Sequence, residues 1–244
     1  MQSQIWDSTI PLWITHPDST TPYVVHAPRL SYLPLLLPRL ISTFGSGSSF
    51  AHEDILLKNL PVGLLHDLYQ PELPWRLALG HGPLFDIHDT FMNSVKEADF
   101  LRNGTAKGIM SMSKEDSKQL WNAVQDNDLA SFNQINLKLL NPASPLRHIP
   151  LRIYIPTQAA PETVGSFKVV QSLVTPRTVN REVQTLGMAL NRILPSLFPS
   201  RRDAILAEPI LHGVPVPFRA PLEDLMREAA YADGWIHLCV HMLS

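Results

Sequence analysis

Short apolar runs broken by turn-forming clusters open the chain. The pattern predicts strands from Ile10 to Thr15 and from Tyr23 to His26, separated by HPDSTTP, as in a hairpin with a long loop. Leu30 to Phe44 reads as a helix interrupted by proline, and GSGSS after it as a flexible break. A strand in ILLKNL, a short helix in LLHDLYQ and a strand in PWRLALG ending near residue 80 complete the order β-β-α-β-short helix-β.

Between residues 87 and 140 the period changes. β-Branched residues thin out, and Phe91, Val95, Ala98 and Leu101 or Arg102 recur at steps of three or four, which predicts a helix from Ile87 to Asn103. Ser113 with Asp116 resembles a capping box ahead of Leu120, Trp121 and Val124, and Asp128 is placed to cap a third helix carrying Phe132, Ile135 and Leu139. NPASP at 141–145 ends the helical segment, because proline disfavours helix at the residue before it.

Beyond it, LRIYI and FKVVQSLV predict strands, and VQTLGMALNRIL a helix with Val183, Leu186, Leu190 and Ile193 on one face. PILHGVPV, the short helix PLEDLMREA and the strand WIHLCVHML repeat the order of the first eighty residues. Pro61, Leu64, Asp67, Leu68 and Trp75 before RLAL are echoed by Pro221, Leu222, Asp224, Leu225 and Trp235 before IHLCV. PILHGVPVPFRAPLEDL followed by GWIHLCV resembles the second half of ubiquitin. The expected fold class is therefore α+β, with two ubiquitin-like β-grasp domains flanking a helix-rich one.

Composition narrows the function classes. With 244 residues and 45% hydrophobic content the chain can bury a real core, and its 22 prolines are dispersed, as many short elements require. A formal net charge of −2, with no long run of Lys or Arg, gives no basic field for nucleic acid. Cys239 is the only cysteine, which excludes an internal disulfide and a thiolate zinc cluster and fits a cytoplasmic setting. Asp7 stands where a secretory signal would be basic, so export is not expected. SYLPLLLPRLI is too short and too proline-broken to supply the roughly 20 apolar residues of a membrane span, so any membrane contact is expected to be peripheral.

No nucleophile elbow, phosphate-cradling loop or H-E-x-x-H is present in the sequence, and no cofactor is expected. The best metal candidate is His237, Cys239 and His241 on one face of the last strand. At strand rise His237 and His241 stand about 13 Å apart, too far to share one ion. Ile236, Leu238 and Val240 are expected to face the core, and the histidine face to cover a neighbouring domain or meet solvent.

Lys96 lies one step past Val95 and off the Phe91, Val95 and Ala98 face, so its amine is expected to reach solvent. Glu97 and Asp99 add local negative potential, but neither stands at i+3 or i+4. From the residues alone Lys96 is a solvated surface lysine. A ubiquitin-like donor needs a flexible C-terminal glycine, whereas HMLS directly follows the last strand, so the chain is not expected to be a donor, although it can still be an acceptor. An acceptor offers a lysine amine to a thioester carbonyl.

VVHAPRLSYLPLLLP, LPVGLLHDLY, ELPWRL, FMNSVKEADFLRNG, KQLWNAVQDNDLASFNQINLKLL, RHIPLRIY, TLGMAL, LHGVPV and PLEDL resemble, in order and along nearly the whole chain, the autophagy-related protein 5 family. The resemblance implies that the lysine of FM-x-x-x-K-E-A-D, here Lys96, forms an isopeptide bond with the C-terminal glycine of autophagy-related protein 12, loaded by a conjugating enzyme on another chain. It also implies binding of the N-terminal helix of autophagy-related protein 16, and an assembly that promotes transfer of autophagy-related protein 8 to phosphatidylethanolamine at the preautophagosomal membrane. The chain itself would be a non-catalytic scaffold. A ubiquitin-like interaction module that is never modified is the alternative.

QIWDSTIPLW resembles the family's short first helix and first strand, with Ile5 and Trp6 as apolar candidates for the partner-helix groove. Trp6 as a core plug is the competing reading, and Trp75 and Trp121 are expected in the core. The expected units are an N-terminal helix at 1–9, ubiquitin-like domains at 10–85 and 144–244, and a helix-rich domain at 86–143.

Overall fold

A computed structural model describes residues 1–83, 86–140, 145–157 and 167–243. Helix α1 (Gln2–Asp7) leads into β1 (Thr9–Thr15), where Ile10, Leu12 and Ile14 are buried on one face, and β2 (Tyr23–Pro28) pairs with it antiparallel. The expected helix over Leu30 to Phe44 is two pieces, a 3₁₀ turn at Leu33–Leu36 and α2 (Leu37–Phe44). Each piece has a proline in its first turn, where the missing N–H costs nothing.

The GSGSS break is shorter than expected, because Ser49 already begins β3 (Ser49–His52), which turns into β4 (Ile55–Leu56). Glu53 and Asp54 both have positive φ, 47° and 66°, as a two-residue hairpin turn requires. The strand expected over ILLKNL is thus only the short return of a hairpin. Helix α3 (Val62–Tyr69) follows Pro61, and β5 (Trp75–Gly80) inserts parallel to β1, giving the order β2-β1-β5-β3-β4.

The helical unit holds α4 (Ile87–Asn103), α5 (Lys107–Met110), α6 (Lys114–Gln125) and α7 (Leu129–Leu140). Three were expected. The unforeseen α5 is held by Asp99, buried on α4, which accepts the Ile109 N–H at 3.0 Å. Asp86, Ser113 and Asp128 each accept an N–H from the first turn of α4, α6 and α7. All but the last residue of NPASP, and the expected boundaries at 85/86 and 143/144, lie outside the described residues.

The second sheet uses β6 (Leu151–Pro156), β7 (Phe167–Gln171), β8 (Ala207–Leu211), β9 (Val214–Pro215) and β10 (Ile236–Met242) in the order β7-β6-β10-β8-β9. It carries α8 (Leu186–Ile193) and α9 (Leu222–Ala229) and repeats the strand order of the first sheet, with its first and last strands parallel. Val183 is not on α8: Thr185 caps that helix, and Val183 pairs with Arg177 in an isolated bridge outside it. The echo of Asp67 by Asp224 is likewise one of sequence only, since Asp67 is buried and Asp224 exposed.

One core fills the first β-grasp unit around Leu12, Leu40 and Trp75, and a larger one runs through the helical unit into the second sheet. Trp6, Leu30, Tyr32 and Leu64 from the N-terminal part enter that larger core. The histidine face of β10 covers a neighbouring domain, one of the two expected arrangements: Cys239 Sγ donates to Leu64 O at 3.9 Å, and the His241 ring N–H to Asp67 O at 2.7 Å.

Candidate functional site

Helix α4 buries Phe91, Val95 and Ala98 as the spacing requires, together with Ile87, Met92, Asp99 and Arg102. Lys96 projects from the other side, half-buried along its stem, and its Nζ donates to Asn93 Oδ1 at 3.4 Å at the surface. Phe100, one turn further, is 56% exposed on that side. The expected acidic setting is absent. Asp99 is turned inward, where it also accepts from Asn103 Nδ2 at 2.6 Å, and Glu97 is paired with Arg152 at 2.5 Å.

The second β-grasp unit grips the same turn. Ser94 Oγ donates to Asp233 Oδ2 at 2.7 Å, Arg152 donates to Ser94 Oγ at 3.1 Å, and Trp235 Nε1 donates to Ser94 O at 3.0 Å. The Arg152 guanidinium lies 3.8 Å from the Trp235 ring centroid. Behind them His237 Nε2 faces Asp233 at 3.0 Å, and His237 Nδ1 lies 2.9 Å from the Tyr154 hydroxyl. Burial alone would raise the Asp233 carboxyl. His237 beside it, with hydrogen bonds from His237, Ser94 and the Trp235 N–H, holds it below the usual carboxylate range instead. A cleft of 330 Å³, lined among others by Tyr32, Asn59, Asn93 and Arg152, opens beside this turn where the three units meet.

A second concavity, 340 Å³ and mostly apolar, lies between α1, the β8–β9 hairpin and α9. Ile5 lines it, with Leu211, Val214, Pro215, Val216 and Leu225 opposite. Trp6 does not. It is 3% exposed, its ring centroid 4.8 Å from that of Phe132, and Asn127 Nδ2 donates to its carbonyl at 2.9 Å. Trp6 anchors α1 to the helical unit and leaves Ile5 on the groove side, so the core-plug reading holds for it. Trp75 is fully buried, while Trp121 is half-buried against Phe91.

The proposed metal trio is dispersed among partners: His237 serves Asp233, Cys239 faces Leu64 and His241 caps the end of α3. Asp86, His88 and Asp89 bring ligand atoms within 4.8 Å of one another at the exposed start of α4, but Asp86 is already engaged in capping that helix. Among the described residues no helix is long and apolar enough to cross a membrane.

Sequence reasoning missed the joint between the two β-grasp units. Arg29 pairs with buried Asp67, whose other oxygen accepts the Gly213 N–H at 2.8 Å from the β8–β9 turn. It also missed the groove residues Leu211, Val214, Val216 and Leu225. Their signal was the apolar run around the prolines of VPVPF, in which Val214 is 60% exposed.

Models of the family match along the chain: the UblA domain of autophagy protein ATG5 over residues 5–81, its alpha-helical bundle region over 86–142 and its UblB domain over 148–240. The chain belongs to the autophagy protein 5 family. Autophagy protein 5 of Sclerotinia sclerotiorum is 63% identical to it across 100% of both chains. Autophagy-related protein 5 of Gibberella zeae is 56% identical over 98% of this chain and 97% of its own. The crystal structure of Kluyveromyces marxianus Atg5 superposes with a TM-score of 0.80 over 98% of each chain at 22% identity, which shows a common fold. Two ubiquitin-like domains around a helical region are thus a family property, and the chain has a role in autophagy.

Proposed function

We propose that the protein is a non-catalytic acceptor and scaffold of the autophagy conjugation system, modified on Lys96 by autophagy-related protein 12. The observation that carries this reading is the placement of Lys96 on the outward side of a long, capped helix, its amine engaged among the described residues by one neutral side chain, Asn93, at the surface. Lys138 is paired with Asp116 and Lys58 lies over the Phe167 ring, whereas Lys114 and Lys118 on α6 are exposed too; what sets Lys96 apart from these is its place in FMNSVKEAD. The deprotonated amine attacks the carbonyl carbon of the donor glycine thioester. The C–N bond forms, the C–S bond breaks, the enzyme's sulfur leaves as thiolate, and the proton lost by the nitrogen passes to solvent. The cysteine belongs to the conjugating enzyme; Cys239 is fully buried here, and burial pushes its thiol well up.

The apolar groove beside Ile5 suits an amphipathic helix, and the N-terminal helix of autophagy-related protein 16 is its proposed occupant. The resulting assembly would act in the cytoplasm and peripherally on the preautophagosomal membrane, promoting transfer of autophagy-related protein 8 to phosphatidylethanolamine. Lys96→Arg tests the reading. The higher-mass conjugate should vanish from cells while the fold and the helix partner are retained. A conjugate of unchanged abundance would defeat it, and a wild-type chain that never gains mass would make the protein an interaction module only.

A further inference from the structure

Among the described residues no hydrogen bond or ion pair joins Lys96 to the second β-grasp unit, yet residues on both sides of it are so joined. Ser94 is held three ways: through its carbonyl by Trp235 Nε1 at 3.0 Å, through its hydroxyl by Asp233 at 2.7 Å, and by Arg152 at 3.1 Å. Glu97 receives the other arm of Arg152 at 2.5 Å. Asp233 and Trp235 are buried, and the Arg152 side chain is 15% exposed, so the groups that hold this turn are themselves fixed.

We propose that Arg152, Asp233 and Trp235 are positioning residues for Lys96, an inference that rests on the acceptor reading above. The apolar face of α4 already attaches the helix to the core, but apolar contacts tolerate a slide or rotation that directional hydrogen bonds resist. A slip of one residue would move the amine by ~1.5 Å along the axis and turn it off the surface it now faces. For a nucleophile meeting an immobile thioester, a misplacement of about 1 Å can cost 100-fold in rate. The Glu97 side chain is 59% exposed, so its pair with Arg152 contributes little to stability. Its consequence is the register of the turn.

The test is single-turnover discharge of the ubiquitin-like donor from its conjugating enzyme onto the full chain, followed over a range of acceptor concentrations. Wild type is compared with Arg152→Ala, Arg152→Lys and Trp235→Phe, with exposed Arg76→Ala as control and a thermal melt on each. Arg152→Ala should lower the saturating rate about tenfold at an unchanged half-saturating concentration, within the range set by misplaced nucleophiles. Arg152→Lys should recover part of that loss, because an ammonium can still reach one of the two partners. Trp235→Phe, which keeps a ring under Arg152 but loses the N–H, should also be slowed.

Saturating rates equal to wild type would overturn the inference and leave the acceptor reading standing. So would a loss confined to the half-saturating concentration, or one that tracks the fraction unfolded. If the wild type takes no donor, or Lys96→Arg still takes it at full rate, the acceptor reading fails and the inference with it.

Discussion

The indole N–H of Trp235 donates to the main-chain carbonyl oxygen of Ser94 at 3.0 Å, across 141 residues of sequence. One residue introduces the last strand of the second β-grasp unit and the other lies mid-way along the first helix of the bundle. With the Arg29–Asp67 joint between the two β-grasp units, this contact makes the chain one continuous body, so Lys96 and the groove beside Ile5 hold a fixed mutual geometry.

Asp67→Ala should destabilise the protein by about 3–5 kcal/mol, because it strands the buried Arg29 guanidinium and frees the Gly213 N–H. Urea unfolding followed by tryptophan fluorescence measures this. A loss below 1 kcal/mol would show that the joint carries no stability.

His212 gives the protein an acid-sensitive slope. Burial pushes it down to about 4, although its hydrogen bond to the Ala229 carbonyl opposes that, whereas an unfolded histidine titrates near 6.5. Between those values the unfolded chain binds the extra proton. Stability from this group is therefore complete above pH 6.5 and falls as pH is lowered towards 4, by about 2 to 3 kcal/mol. His212→Asn should flatten that window in urea titrations, since asparagine tolerates the local φ of 53° and does not titrate. Asp67 and Asp233, both held below the ordinary carboxylate range, add losses only at still lower pH.

Ile5 and Trp6 should separate cleanly. Trp6→Ala opens a cavity against Phe132 and should cost about 3–5 kcal/mol. Ile5→Asp, at a half-buried position packed on the edge of the core, should cost less, about 1–2 kcal/mol. It should nevertheless weaken binding of the partner's N-terminal helix at least tenfold in calorimetric titration, as loss of a groove anchor does. Equal binding by Ile5→Asp would remove Ile5 from the groove.

Asp99→Ala should cost about 2–3 kcal/mol by leaving the buried Ile109 N–H without its acceptor. Hydrogen exchange should quicken at Lys107–Met110 first, because that short helix is tied to α4 through this carboxylate. Uniform quickening across the bundle would contradict this assignment.

Much of the architecture was legible because its elements follow from local rules: the caps at Ser113 and Asp128, the apolar face of α4 and the repeated order of elements all appear in the structure. What escaped depends on contacts across the chain or on backbone angles. Glu53 and Asp54 adopt left-handed conformations that composition does not announce, so the sequence shows neither the hairpin turn nor the strand β3 before it. Asp99 looked like a solvated helix acid until the packing of α5 enclosed it. For Trp6 the sequence leaves groove and core plug open, and the direction of α1 decides it, sending Trp6 inward and Ile5 to the groove. The clamp on Ser94 joins residues so distant in sequence that no periodicity could pair them.

Peptide mapping by mass spectrometry of the conjugate isolated from its native cell decides whether Lys96 is the attachment site. A branched peptide is expected in which the donor's C-terminal glycine is joined to the Nζ of Lys96, with the other lysines unmodified. A glycyl branch on another lysine, or a chain recovered only at its own mass of 27.4 kDa under conditions that drive autophagy, would contradict it.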